Sequence, residues 1–134
     1  VHSGVPAGCF FSSNNGINAW NSTCAGGKSV KKENEWAQIV KNMYPGYSGP
    51  RPKMQIFHGG NDQVLAAPNY NETIKQWCGV FGYDYNKPIA RTSGPGAGYT
   101  TTSYGPNLRG IYAPGAGHNL PAHSNQDMDW FGFR

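Results

Sequence analysis

Lys53-Met54-Gln55-Ile56-Phe57-His58-Gly59-Gly60-Asn61-Asp62 is the stretch on which the fold turns. Lys53 to Phe57 is apolar at its centre and reads as a short strand, and it runs directly into a turn carrying two glycines and an aspartate. Downstream the period changes. Tyr70, Ile74, Trp77 and Phe81 recur at helical spacing, Pro68 suits the first turn of that helix, and Gly79 and Gly82 mark its end. Upstream, over Lys31 to Met43, the residues Trp36, Ile39, Val40 and Met43 form one apolar helical stripe that stops at Tyr44-Pro45-Gly46. Residues 1–29 and 83–97 have no period and read as loops. Tyr99 to Tyr104, rich in Thr and Tyr, and Leu108 to Ala113 are further strands, joined as an antiparallel hairpin by Gly105-Pro106-Asn107. Pro114-Gly115-Ala116-Gly117-His118 is a turn bearing one histidine, and a last helix is expected near Ser124 as N-cap, including Met128 and Phe131. Alternating strands and helices predict an α/β fold, a mostly parallel sheet with helices on both faces. In such sheets functional groups collect on loops leaving the carboxyl ends of strands, where Asp62 and His118 both stand.

With 134 residues the chain is at most one domain. Nineteen Gly, ten Pro and a charged content of only 13% mean plentiful loops, while four Trp and six Phe supply a core and exclude disorder. The net charge is +4, but the basic residues are scattered apart from Lys28, Lys31 and Lys32, which read as the solvated start of a helix. A nucleic-acid binder needs a denser stripe, and no apolar run approaches the roughly 20 residues of a membrane span. Neither nucleic acid nor membrane is an expected partner. The sequence opens at Val1 without a methionine, so a preceding segment is expected.

Two features point outside the cell. Asn21-Ser22-Thr23 and Asn71-Glu72-Thr73 are glycan acceptor sequons. Cys9 and Cys24 flank a Ser/Asn/Gly-rich stretch with little means of holding itself, and a bridge between them would close a loop of about 15 residues and add roughly 3 kcal/mol. Cys78 is left over, either paired elsewhere or buried as a small hydrophobe.

A nucleophilic hydrolase needs a base to take the serine proton and a carboxylate to orient that base. Asp62 and His118 stand in the chain order in which such acids and bases follow the serine. On spacing alone the signal is weak, because an aspartate in a glycine turn more often makes an Asx-turn or caps a helix. No Gly-x-Ser-x-Gly occurs: Ser3 lacks the preceding glycine and the following helix, and Ser93 lies in a loop. His2, His58, His118 and His123 have no metal-ligand spacing, so no metal or other cofactor is expected. His58 reads as a strand-end hydrogen-bonding residue. Trp36, Trp77 and Trp130 read as packing residues, whereas Trp20 lies in a loop that could face a sugar ring.

Longer stretches add a resemblance. Val5-Pro6-Ala7-Gly8-Cys9-Phe10, Ala19-Trp20-Asn21-Ser22, Met43-Tyr44-Pro45-Gly46-Tyr47, Met54-Gln55-Ile56-Phe57-His58-Gly59, Tyr70-Asn71-Glu72-Thr73, Gln76-Trp77-Cys78-Gly79-Val80-Phe81-Gly82-Tyr83 and Gln126-Asp127-Met128-Asp129-Trp130-Phe131-Gly132-Phe133 resemble the fungal acetylxylan esterases of carbohydrate esterase family one. That family also holds feruloyl esterases. The resemblance is weakest from Asn86 to Gly98. It implies the C-terminal half of an α/β-hydrolase catalytic domain, with Asp62 as the acid and His118 in the Gly-x-Gly-His turn as the base. It also implies that the serine elbow lies in an N-terminal half, before the segment matching Val1.

The expectation is therefore a secreted serine esterase acting on acyl groups, foremost acetyl, of xylan. Asp62 and His118 serve as its acid and base, Trp20 as a sugar-facing residue, Cys9–Cys24 as a bridge, and Asn21 and Asn71 as glycan sites. The expected partners are acylated xylan and the N-terminal half of the same enzyme. The alternatives are a feruloyl esterase with the same triad, or a non-catalytic carbohydrate-binding protein made of these residues alone.

Overall fold

The computed structural model describes residues 1–11 and 20–134. Part of the Ser/Asn/Gly-rich stretch read as loop, and Ala19 of the quoted motifs, lie outside them. In chain order the elements are α1 (Ser22–Ala25), α2 (Glu33–Met43), β1 (Met54–Gly59), α3 (Pro68–Phe81), β2 (Ala90–Ser93), β3 (Thr100–Gly105), β4 (Leu108–Ala113) and α4 (Ser124–Phe131). The strands form one sheet in the order β1-β4-β3-β2.

The fold is α/β, but its sheet is mixed, not mostly parallel. β1 and β4 run parallel, while β3 is antiparallel to both β4 and β2. After α3 the chain travels to the outer edge, forms β2, and returns through the hairpin so that β4 lands beside β1. Composition explains the order. β2 is Ala-Arg-Thr-Ser with every residue exposed, fit only for an edge, whereas β4 buries Leu108, Gly110, Ile111 and Ala113 and takes the inner position. β2 lies in a stretch expected to be loop, since a strand with no buried face shows no alternation. The other loop expectation also gives way in part. Residues 1–3 run parallel to β1 on its edge away from β4, through Val1 N to Gln55 O (2.7 Å), Phe57 N to Val1 O (2.8 Å) and Ser3 N to Phe57 O (2.8 Å).

Parallel register puts Met54, Ile56 and His58 on the face that carries Leu108, Gly110 and Tyr112. Helix α3 covers this face with Tyr70, Ile74 and Cys78, which join Ile56, Tyr104 and Leu108 in one buried cluster. Gly110 is what lets it approach, because a Cβ there would collide with the Tyr70 hydroxyl and crowd Ile74. Cys78 is a free buried thiol, pushed up to about 12 by desolvation, and so belongs to the core.

The opposite face carries α4, held by polar groups. Gln55 Nε2 donates to Asp127 Oδ1 (2.6 Å), Arg109 Nη2 donates to the Gln126 carbonyl (3.2 Å), and the Arg109 guanidinium lies 4.4 Å over the Trp130 ring. Helices thus lie on both faces. Ser124 is the first helical residue and not the cap; His123 precedes it with no capping bond, its ring stacked on Phe57.

The α2 stripe is shifted from expectation. Trp36, Ala37 and Val40 are buried, while Met43 is exposed. Ala37 is buried because it packs on Gly79 of α3, where a Cβ would collide with it. Helix α3 also has a second buried side, and it is polar. Glu72 Oε2 accepts from Trp36 Nε1 (2.6 Å) and Lys31 N (3.1 Å), while Gln76 brackets the Ala7 main chain through Oε1 (2.7 Å) and Nε2 (2.9 Å). Cys9 and Cys24 are bonded, with Cα atoms 5.8 Å apart, and close a small cluster with Trp36.

Glu72 joins three segments, so Glu72→Ala is expected to cost about 1–3 kcal/mol in chemical denaturation, the penalty for stranding buried donors. Lys75, bound to the same carboxyl group at 2.6 Å but partly exposed, is expected to cost less than about 1 kcal/mol as Ala. Equal losses would contradict the assignment of Glu72 as the joint.

Candidate active site

Because β1 and β4 are parallel and in register, Gly59 lies opposite Ala113 and the two strands end level. The loops that follow leave side by side and are laced together by main-chain bonds, Gly60 N to Ala113 O (2.8 Å) and Asn61 N to Ala116 O (2.9 Å). Gly59 permits this contact, since a Cβ there would collide with the carbonyls of Ala116 and Gly117. Asp62 stands a short way along one loop and His118 along the other.

The two side chains meet. His118 Nδ1 is 2.9 Å from Asp62 Oδ2; the Asp62 side chain is 0% exposed and that of His118 36%. The other carboxylate oxygen, Oδ1, accepts from Val64 N (2.9 Å) and Leu65 N (2.8 Å). One oxygen of this aspartate thus makes the Asx-turn, and the other meets the histidine. Burial alone would raise the Asp62 carboxyl, but the His118 hydrogen bond and the two main-chain donors outweigh it and hold it below the ordinary carboxylate value. A carboxylate only accepts, so His118 Nδ1 is the donor in this contact, and in the neutral ring that leaves the lone pair at Nε2. An imidazole held in this tautomer by a buried carboxylate is suited to take a proton from a nucleophile at Nε2.

Two further residues shape the pair. His58 is fully buried, its Nε2 lying 2.9 Å from the Leu65 carbonyl and 3.5 Å from Asp62 Oδ2. It holds the turn whose amides bind Asp62, as its expected strand-end bonding role implies, while its Nδ1 has no partner among the described residues. Ser3, dismissed in the sequence as a nucleophile, donates from Oγ to the His118 carbonyl at 2.6 Å. No local pattern announces this contact, which spans 115 positions of sequence.

The remaining expected residues lie apart from the pair. Trp20 is 56% exposed and tilts against Phe10 at 5.3 Å. Asn21 is the N-cap of α1, its Oδ1 accepting from Cys24 N, whereas Asn71 is exposed on α3. A cleft lined by Tyr70, Tyr85, Tyr104 and Tyr112 on the α3 face includes neither Asp62 nor His118. Among the described residues no three His, Cys, Asp or Glu side chains gather as a metal site.

Comparison with known proteins places the whole chain beside one group of enzymes. It is 58% identical over 134 residues to the probable acetylxylan esterase A of Aspergillus fumigatus, covering 99% of this chain and 36% of that protein. It is 57% identical over 136 residues to acetylxylan esterase A of Talaromyces purpureogenus, covering 99% and 35% respectively. The solved structure of an acetyl xylan esterase from Aspergillus awamori superposes with a TM-score of 0.97 at 52% identity, over 100% of this chain and 49% of that one. No family model matches. The resemblance to fungal acetylxylan esterases therefore holds along the chain, which spans less than half the length of these relatives.

The depressed Asp62 carboxyl sets a pH dependence. A depressed group contributes stability that is complete above its unfolded value and is lost as pH falls through its folded value. The melting-temperature gap between the protein and Asp62→Asn is expected not to narrow from neutral pH down to the ordinary carboxyl value of 3.8, and to close below it. A gap that narrows between about pH 7 and pH 5 would contradict the pairing.

Proposed function

We propose that these residues are the C-terminal part of an α/β-hydrolase esterase domain that removes acetyl groups from xylan, with Asp62 as the acid and His118 as the base. The observation that carries this reading is the 2.9 Å contact between a buried Asp62 and a partly exposed His118. The similarity to acetylxylan esterases supports the substrate class. The nucleophilic serine comes from a part of the protein outside these residues, since no serine here stands in a Gly-x-Ser-x-Gly elbow.

In the complete enzyme the serine oxygen attacks the ester carbonyl carbon while His118 Nε2 takes its proton. Asp62 holds Nδ1 and stabilises the imidazolium. The tetrahedral intermediate collapses, the sugar oxygen leaves with the proton from Nε2, and an acetyl-serine remains. Water then attacks that ester, giving one proton to Nε2, which passes it to the departing serine oxygen, so that acetic acid leaves and the free serine and neutral imidazole are restored. Secretion is part of the same reading, supported by the Cys9–Cys24 bond and by an exposed Asn71 in a sequon.

The test uses the complete protein. Acetate release from acetylated xylan is expected, with little cleavage of methyl ferulate. His118→Ala and Asp62→Asn are each expected to lower kcat by about 10⁴-fold, the scale seen when such a base is removed or its tautomer lost. Full activity of His118→Ala would overturn the reading, and preference for the ferulate would move it to a feruloyl esterase.

A further inference from the structure

Ser3 is the only non-glycine residue with positive φ among those described, at 46°. Glycine adopts this region freely and a serine does not, so the side chain is where its reason must be sought. Ser3 is buried. Its amide is fixed to β1 by the bond to Phe57 O (2.8 Å), and its hydroxyl donates to the main-chain carbonyl of His118 at 2.6 Å. With its proton on that carbonyl, the Ser3 hydroxyl makes no hydrogen bond to the imidazole among the described contacts.

The His118 loop needs an anchor. It contains Gly115 and Gly117, and its last main-chain bond to the Asp62 loop is at Ala116. Beyond that, among the described hydrogen bonds, Ser3 Oγ is the one that holds the main chain of His118. Asp62 fixes Nδ1 alone, which leaves the ring free to move with its backbone about that contact. Two attachments, one at the ring and one at the carbonyl, define where Nε2 points.

We infer that Ser3 is a positioning residue for the esterase reaction, its hydroxyl pinning the His118 backbone so that Nε2 is aimed at the nucleophile. This rests on the proposed assignment of His118 as the base. The left-handed backbone at Ser3 is what turns the hydroxyl from the edge of the sheet toward the adjoining loop.

Two variants of the complete enzyme separate this role from a structural one. Ser3→Ala keeps the strained backbone and loses the hydroxyl, whereas Ser3→Gly loses both. Each is expected to lower kcat by about 10- to 100-fold, the range for a catalytic group displaced by about an ångström. KM is expected to stay within about twofold, because substrate binding is untouched. Ser3→Gly is expected to melt no lower than Ser3→Ala. Amide hydrogen exchange over residues 115–118 is expected to speed up in both. A wild-type kcat in either variant, a loss confined to KM, or unchanged exchange would overturn the inference. Activity measured in His118→Ala alongside keeps the two readings distinct: activity there overturns the assignment of the base, while an inactive His118→Ala with a fully active Ser3→Gly overturns the anchor alone.

Discussion

The parallel pairing of β1 with β4 is the constraint on which the site depends. Two strands that end level, Gly59 opposite Ala113, deliver two loops to the same height, and the side chains on those loops can then meet without long reach. Small residues make the pairing possible from both directions. Gly110 admits α3 against the centre of the sheet, and Gly59 admits the His118 loop against the end of it. A side chain at either position would separate layers whose closeness brings Asp62 to His118.

Around that pairing the helices are attached by polar bonds, buried between Glu72 and Trp36 and more exposed toward α4. Glu72 and Gln76 attach α3 to α2 and to the chain near Ala7, and Gln55 and Arg109 attach α4 to the sheet. Such bonds are directional, and leaving one partner unsatisfied is costly in a low-dielectric interior, so they specify placement more sharply than apolar area does. The same logic continues into the site. His58 holds the Leu65 carbonyl, the Leu65 amide holds Asp62, and Asp62 holds His118. His118 is thus the last member of a hydrogen-bonded chain that begins at a buried strand residue.

Much of this was legible in the sequence, and the boundary of what was not has a physical cause. The helix from Pro68 was readable because its apolar face keeps the helical period, and the strand from Leu108 to Ala113 because it is a short apolar run that follows a turn. The meeting of Asp62 with His118 was readable because glycine-rich strand ends mark where loops leave the carboxyl edge of a sheet. β2 was hidden because all its residues are exposed. The mixed direction of the sheet was hidden too, since it depends on where the chain goes after Phe81 and not on any local pattern. The shift of the α2 stripe from Met43 to Ala37, and the polar side of α3, arise from partners far away in sequence. Ser3 belongs with these: its neighbours, Val1-His2 and Gly4, say nothing of a carbonyl that folding brings beside it.

In the proposed function the Asp62–His118 pair serves a serine lying outside these residues. The most direct measurement is to treat the complete protein with a phosphonate ester that traps activated serine hydroxyls, then to locate the adduct by peptide mass mapping in the protein and in His118→Ala. A single modified serine outside residues 1–134 is expected, and its labelling is lost when His118 is replaced. An adduct on Ser3 or any other serine within these residues, or labelling indifferent to His118, would contradict it.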